Sequence, residues 1–156
     1  MIRRGFTLIE LLVVIAIIGV LSAVGLNNFI TARIKAVDAQ KKSDLQTIGK
    51  SLEAYVNDHQ SYPLSDANGK IICQAGNVIC DWGTSFTDGT STYAAKLPSD
   101  PNGYRYLYSS TGKNYTLYAH LNNGDDPQIN ASVVAQNLSC GTSIICNYKI
   151  TSSNTQ

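Results

Sequence analysis

Charge is scarce in this chain. Asp, Glu, Lys and Arg make up 15% of its 156 residues, against about 25% in an ordinary globular protein. The charges nearly cancel, leaving a formal net +1. No run or patch of Lys and Arg accumulates, so the sequence gives no support to nucleic-acid binding. Histidine is equally thin, with only His59 and His120. His59 falls near a helix C-terminus, where a cation is mildly favoured, and His120 alternates with Tyr118 along a strand, so both are expected to be structural. No Gly-x-Ser-x-Gly turn or phosphate-cradling glycine loop occurs. The sequence therefore assigns no catalytic residue and predicts that the chain is not an enzyme. No cysteine precedes Cys73, and the four present, Cys73, Cys80, Cys140 and Cys146, show no Cys-x-x-Cys spacing of the kind zinc favours. An even set confined to a Gly- and Asn-rich segment implies disulfides. Local closure favours Cys73–Cys80 with Cys140–Cys146. A bridge from Cys73 or Cys80 to a C-terminal cysteine is the rival, and free buried thiols are the alternative.

What the chain does have is one long apolar run at its start. In residues 6–26 the only polar side chains are Thr7, Glu10 and Ser22. As a helix rising ~1.5 Å per residue, these twenty-one residues would measure roughly 30 Å, the thickness of a bilayer's hydrocarbon core. A helix is the form that satisfies its own backbone there, and Arg3 and Arg4 would hold the N-terminus in the cytoplasm. Glu10 is the anomaly, because a carboxylate in such a span normally has a partner and nothing else in residues 7–28 is ionisable. The partner must come from a neighbouring molecule, from the interface, or from a new amine. Cutting between Gly5 and Phe6 would create that amine about one helical turn from Glu10.

The run Arg4-Gly5-Phe6-Thr7-Leu8-Ile9-Glu10-Leu11-Leu12-Val13-Val14-Ile15-Ala16-Ile17-Ile18-Gly19 resembles the prepilin signal of type IV pilins and type II secretion pseudopilins. The resemblance implies cleavage after Gly5 by a prepilin peptidase and N-methylation of Phe6. It also implies that Glu10 pairs with the Phe6 amine of an adjacent subunit during filament assembly. The implied architecture is the α+β pilin fold, a long N-terminal helix packed on a small antiparallel sheet. Residues 1–5 would be the leader, 6–28 the transmembrane and assembly helix, 29–60 its amphipathic continuation and 61–156 a disulfide-containing head. The implied partners are copies of the same chain, the peptidase and an inner-membrane assembly platform. The protein would sit in the bacterial inner membrane and then in an extracellular pilus or a periplasmic pseudopilus. The family's usual proline after Gly19 is missing, so local melting of residues 19–28 on assembly would lack its usual marker.

Beyond residue 28 the apolar positions Ile30, Ile34, Val37, Leu45, Ile48, Leu52, Tyr55 and Val56 step by threes and fours, an amphipathic stripe. Asp38 and Lys42 are expected off it, and Lys41 interrupts it. The helix should end near residues 58–61, because Tyr62 precedes a proline. Residues 61–92 are turn-rich and hold two apolar snippets, 71–73 and 78–80, that suggest a hairpin. Ser91–Lys96 suggests a helical turn. Tyr104–Tyr108 and Tyr115–Leu121 alternate as strands about a turn, with one face on the helix and one in solvent, and Ile144–Ile150 suggests a third strand. The stretch 97–126 is similar to the heads of the major secretion pseudopilin and of short type IV pilins, and in that pseudopilin family a loop here binds calcium. That likeness makes Asp125 and Asp126 candidate ligands, although a turn through Asn123-Gly124-Asp125-Asp126-Pro127 explains them without metal. With no metal or cofactor firmly assigned and a disulfide-bearing head, the sequence predicts a type IV pilus subunit, the alternatives being a secretion pseudopilin or a tip pilin with a binding role.

Overall fold

The computed structural model describes residues 5–152 apart from Ala75, and only the backbone of helix residues 23–27. The first element is a 52-residue helix, α1 (Leu8–His59). It starts where Thr7-x-x-Glu10 forms a capping box. The Thr7 N–H and hydroxyl donate to Glu10 Oε2 at 2.9 and 2.8 Å, and the Glu10 N–H donates back to Thr7 Oγ1 at 3.3 Å. It stops where Gln60 turns left-handed, at φ 59°, while its N–H still reaches the Val56 carbonyl at 2.8 Å. Pro63 then prevents further helix. The backbone stays helical through 19–28 in the isolated chain. Among the described residues no helix is long and apolar enough to cross a membrane. The apolar run with described side chains, Leu8 to Ser22, has fifteen residues, short of the roughly 20 that a span needs. The part of the expected span at 23–27 lies outside the described side chains.

Contacts divide the chain after Ala36. In the second unit the stripe on α1 is real but differs from its expected make-up. Leu45, Ile48 and Leu52 are fully buried, and one and two turns earlier the same face carries Asp44, Lys41 and Asp38, all buried as well. Lys41 does not break the stripe and Asp38 does not leave it. The face continues as polar groups because the head offers polar partners there.

The head begins with two short hairpins. β1 (Ile71–Gln74) pairs antiparallel with β2 (Val78–Cys80), and β3 (Phe86–Thr87) with β4 (Thr92–Ala94). The expected helical turn at 91–96 instead holds the strand β4 at its centre, because Tyr93 packs against Phe86 and Tyr55 of α1. The main sheet has the order β5-β6-β9, from β5 (Leu107–Ser110), β6 (Tyr115–Ala119) and β9 (Tyr148–Thr151). Tyr108, Leu117 and Ile150 lie in register across it. Tyr106, Tyr108, Leu117 and Ala119 join Leu45, Ile48 and Leu52 in one core. The opposite face is not left to solvent. A short helix, α2 (Ala131–Ala135), capped by Asn130, and a hairpin of β7 (Ser139–Gly141) and β8 (Ile144–Ile145) bring Val133, Cys140 and Cys146 against Leu107 and Tyr118. The third strand expected at 144–150 is therefore split between β8 and β9. Cys73 is bonded to Cys80 and Cys140 to Cys146, so each bridge closes a local loop.

The tyrosines reach across the core to the helix. The Tyr106 hydroxyl donates to Asp44 Oδ2 at 2.7 Å, and Gln40 donates to the other oxygen at 2.7 Å. Burial, followed by the bond to Asp44, holds the Tyr106 hydroxyl far above its usual range. Tyr62 donates to Glu53 at 2.9 Å, and burial, with Glu53 adding to it, pushes its pKa up to about 12. Tyr106→Phe removes one donor from a buried carboxylate. It should cost about 1–3 kcal/mol, read as a lower midpoint in chemical denaturation of the full chain. An unchanged midpoint would show that the bond contributes nothing net.

Candidate functional site

Two groups of functional side chains stand apart in the sequence. The first is the start of α1. Gly5, Phe6 and Thr7 precede the helix, and Phe6 and Leu8 are about four-fifths exposed, at 79% and 82%. Leu11, Leu12, Ile15, Ile17, Ile18 and Leu21 are each more than half exposed. Among the described residues a Cβ added at Gly5 meets no atom within 4 Å. Glu10 is where the structure adds most. Expected to be without an intrachain partner, it is held by Thr7, and the Thr-x-x-Glu spacing was the signal that could have revealed this. The carboxylate is exposed and is aimed back towards the N-terminus of its own helix by the cap.

The second group lies between α1 and the loop after β6. Asp38 accepts from two successive backbone N–H groups, Asn122 at 2.8 Å and Asn123 at 2.7 Å. One turn on, Lys41 Nζ donates to the His120 carbonyl at 2.7 Å and to Asn122 Oδ1 at 3.0 Å, and it lies 3.3 Å from Asp100 Oδ2. Lys42 Nζ donates to both oxygens of Asp126, at 2.9 and 2.7 Å. From the sheet side, Asn147 accepts from the Leu121 N–H and donates to its carbonyl, at 2.7 and 2.9 Å. His120 Nδ1 donates to the Ile145 carbonyl at 2.7 Å, so its ring is engaged rather than free in solvent.

This geometry tests calcium at Asp125 and Asp126, and the residues do not fit it. Calcium needs six to eight oxygens at about 2.3–2.6 Å. Here both Asp126 oxygens are taken by Lys42, the neighbouring carbonyl and amide oxygens are taken by Lys41, and Asp125 is exposed. Among the described residues no group of three His, Cys, Asp or Glu side chains converges as metal ligands would.

A long helix whose second half packs on a three-stranded antiparallel sheet defines a pilin-like fold. Residues 1–26 match the family described as the prokaryotic N-terminal methylation motif. Residues 28–139 match the family described as type II secretion system (T2SS), protein G, and the chain belongs to that family. It is 30% identical to the type II secretion system core protein G of Escherichia coli over 81% of this chain and 85% of that protein. It is 32% identical to the protein of the same name from Pseudomonas aeruginosa, over 75% of this chain and 82% of that one, and 32% identical to that of Klebsiella pneumoniae, over 71% and 77%. No solved structure gives a significant match.

The Asp126 carboxyl is held below its usual range, first by the Lys42 hydrogen bond and further by the Gln128 N–H. A depressed folded-state pKa contributes stability above the unfolded value of about 3.9, and that contribution is lost as pH falls through the folded value. Asp126→Asn should therefore lower Tm slightly at pH 7, by the ~0–1 kcal/mol of a partly exposed pair. The two proteins should converge at strongly acid pH. Parallel curves with no convergence would show that the pair does not couple to stability.

Proposed function

We propose that the chain is the repeating subunit of a periplasmic pseudopilus that drives protein export through a type II secretion system. Membership of the protein G family, over residues 28–139, carries this, and it favours the secretion filament over a surface type IV pilus. The role is structural rather than catalytic. The precursor is anchored in the inner membrane by the apolar start of α1, with the arginine-bearing N-terminus on the cytoplasmic side. A prepilin peptidase cuts between Gly5 and Phe6 and the Phe6 amine is methylated. Subunits then leave the lipid as a helical homopolymer, raised by the assembly platform.

Physical reasons support each step. The described large apolar side chains from Phe6 to Ile30 are exposed, and leaving them in water would be costly at about 25 cal/mol per Å². Lipid covers them before assembly, and copies of the same helix cover them afterwards. A carboxylate packed among such helices needs a cation, and the new Phe6 amine supplies one per subunit, so Glu10 of one copy registers on the N-terminus of the next. The capping box presents that carboxylate at the correct end of its helix.

Glu10→Ala should leave membrane insertion intact while abolishing pseudopilus formation and export of secreted enzymes; normal export by this variant would remove the assigned role of Glu10. Gly5→Arg should leave the leader attached, read by intact mass, whereas a correctly cut product would refute the cleavage position. Material recovered mainly by shearing from the cell surface, with export unaffected by deletion, would return the filament to the pilus class.

A further inference from the structure

The strongest feature outside the assembly site is a full charge at the centre of the helix–head contact. Lys41 is 0% exposed, and its ammonium faces three oxygens of three chemical kinds: the His120 carbonyl, the Asn122 side-chain amide and the Asp100 carboxylate. The Tyr104 ring lies under it at 4.8 Å from the centroid, an attractive placement for a cation. Carbonyl, amide and carboxylate oxygens together make the donor set that a hard metal ion takes. The Asp100 side chain is itself fully buried, and its Oδ2 has no hydrogen-bond partner, only the Lys41 ammonium at 3.3 Å. A buried carboxylate in that position requires a positive charge.

The oxygens come from segments that the chain must bring together. Asp100 precedes β5, and His120 and Asn122 follow β6, so one ammonium ties both ends of that hairpin to α1. Asp38, one turn earlier, holds the next two backbone amides, and Lys42 holds Asp126. The loop 120–126 is thus fixed to the helix by Asp38, Lys41 and Lys42, and the two ammoniums among them would repel a dication.

We propose that Lys41 is a tethered internal cation, occupying an oxygen cage in place of a bound metal ion, so that closure of loop 120–126 is independent of divalent cations in the surrounding compartment. The tether also removes the entropy cost of capturing a free ion.

The test uses the full chain in detergent micelles, melted in EDTA and in millimolar calcium chloride. Superimposable melts are expected; a Tm raised by calcium would overturn the proposal. Lys41→Ala should lower Tm on the order of 10 °C, as expected for removing one partner of a buried ion pair. In that variant n-propylammonium, which carries the atoms that the truncation deletes, should restore part of the loss, while sodium chloride at equal ionic strength should not. A Lys41→Ala variant as stable as the parent, or recovery by sodium chloride equal to that by n-propylammonium, would show that no ammonium-specific cage exists. If the variant does not fold, the parent melts in EDTA and calcium decide alone.

Discussion

A charged side chain buried on a helix dictates what is packed over it. Once Lys41 lies on the inner face of α1, the head must bring it oxygens, and the loops before β5 and after β6 are shaped to do so. Asp38 and Asp44, one turn to either side, extend the demand: one is met by backbone amides and the other by the Tyr106 hydroxyl. Below these groups the same face turns apolar at Leu45, Ile48 and Leu52. The helix therefore contacts the sheet through two different chemistries in sequence. The apolar half supplies the drive to dock, and the polar half admits one register, because a shift by one turn would leave buried charges unpaired.

The legible part of the fold was the part written in periodicity. Steps of three and four along α1, and alternation at Tyr115–Leu121, led to the helix and to β6, whereas the strand expected at Tyr104–Tyr108 begins only at Leu107 and runs on to Ser110, into the expected turn. Asp38 and Lys41 misled because a stripe is sought by hydrophobicity, whereas burial here is decided by partners some eighty residues away. β4 and α2 were missed for a related reason. A three-residue strand and a five-residue helix carry too few residues for a period to show, and tertiary contacts of Tyr93 and Val133 decide them.

At the N-terminus the sequence spoke more clearly still, since Gly5, Phe6 and Glu10 stand in a fixed register that no packing argument is needed to see. What it hid was the local engagement of Glu10. A carboxylate that looks stranded in an apolar run already has two donors from Thr7. The choice between a surface pilus and a secretion filament was not legible there, because both use the same helix. The head resolves the family, through residues 28–139.

The capping box also draws a boundary along the backbone. Because Thr7 closes the helix at Leu8, the peptide bond between Gly5 and Phe6 stays outside the ladder of backbone hydrogen bonds, which begins with the Leu11 N–H on the Thr7 carbonyl. Proteolysis requires a chain that can be laid out in an enzyme's cleft, and a helix must first be unwound for that. Here the wound region starts at Leu8, two residues after the expected cut. If the chain is cut there, the bond already lies outside the wound region, and the cap keeps the opening from spreading into the helix.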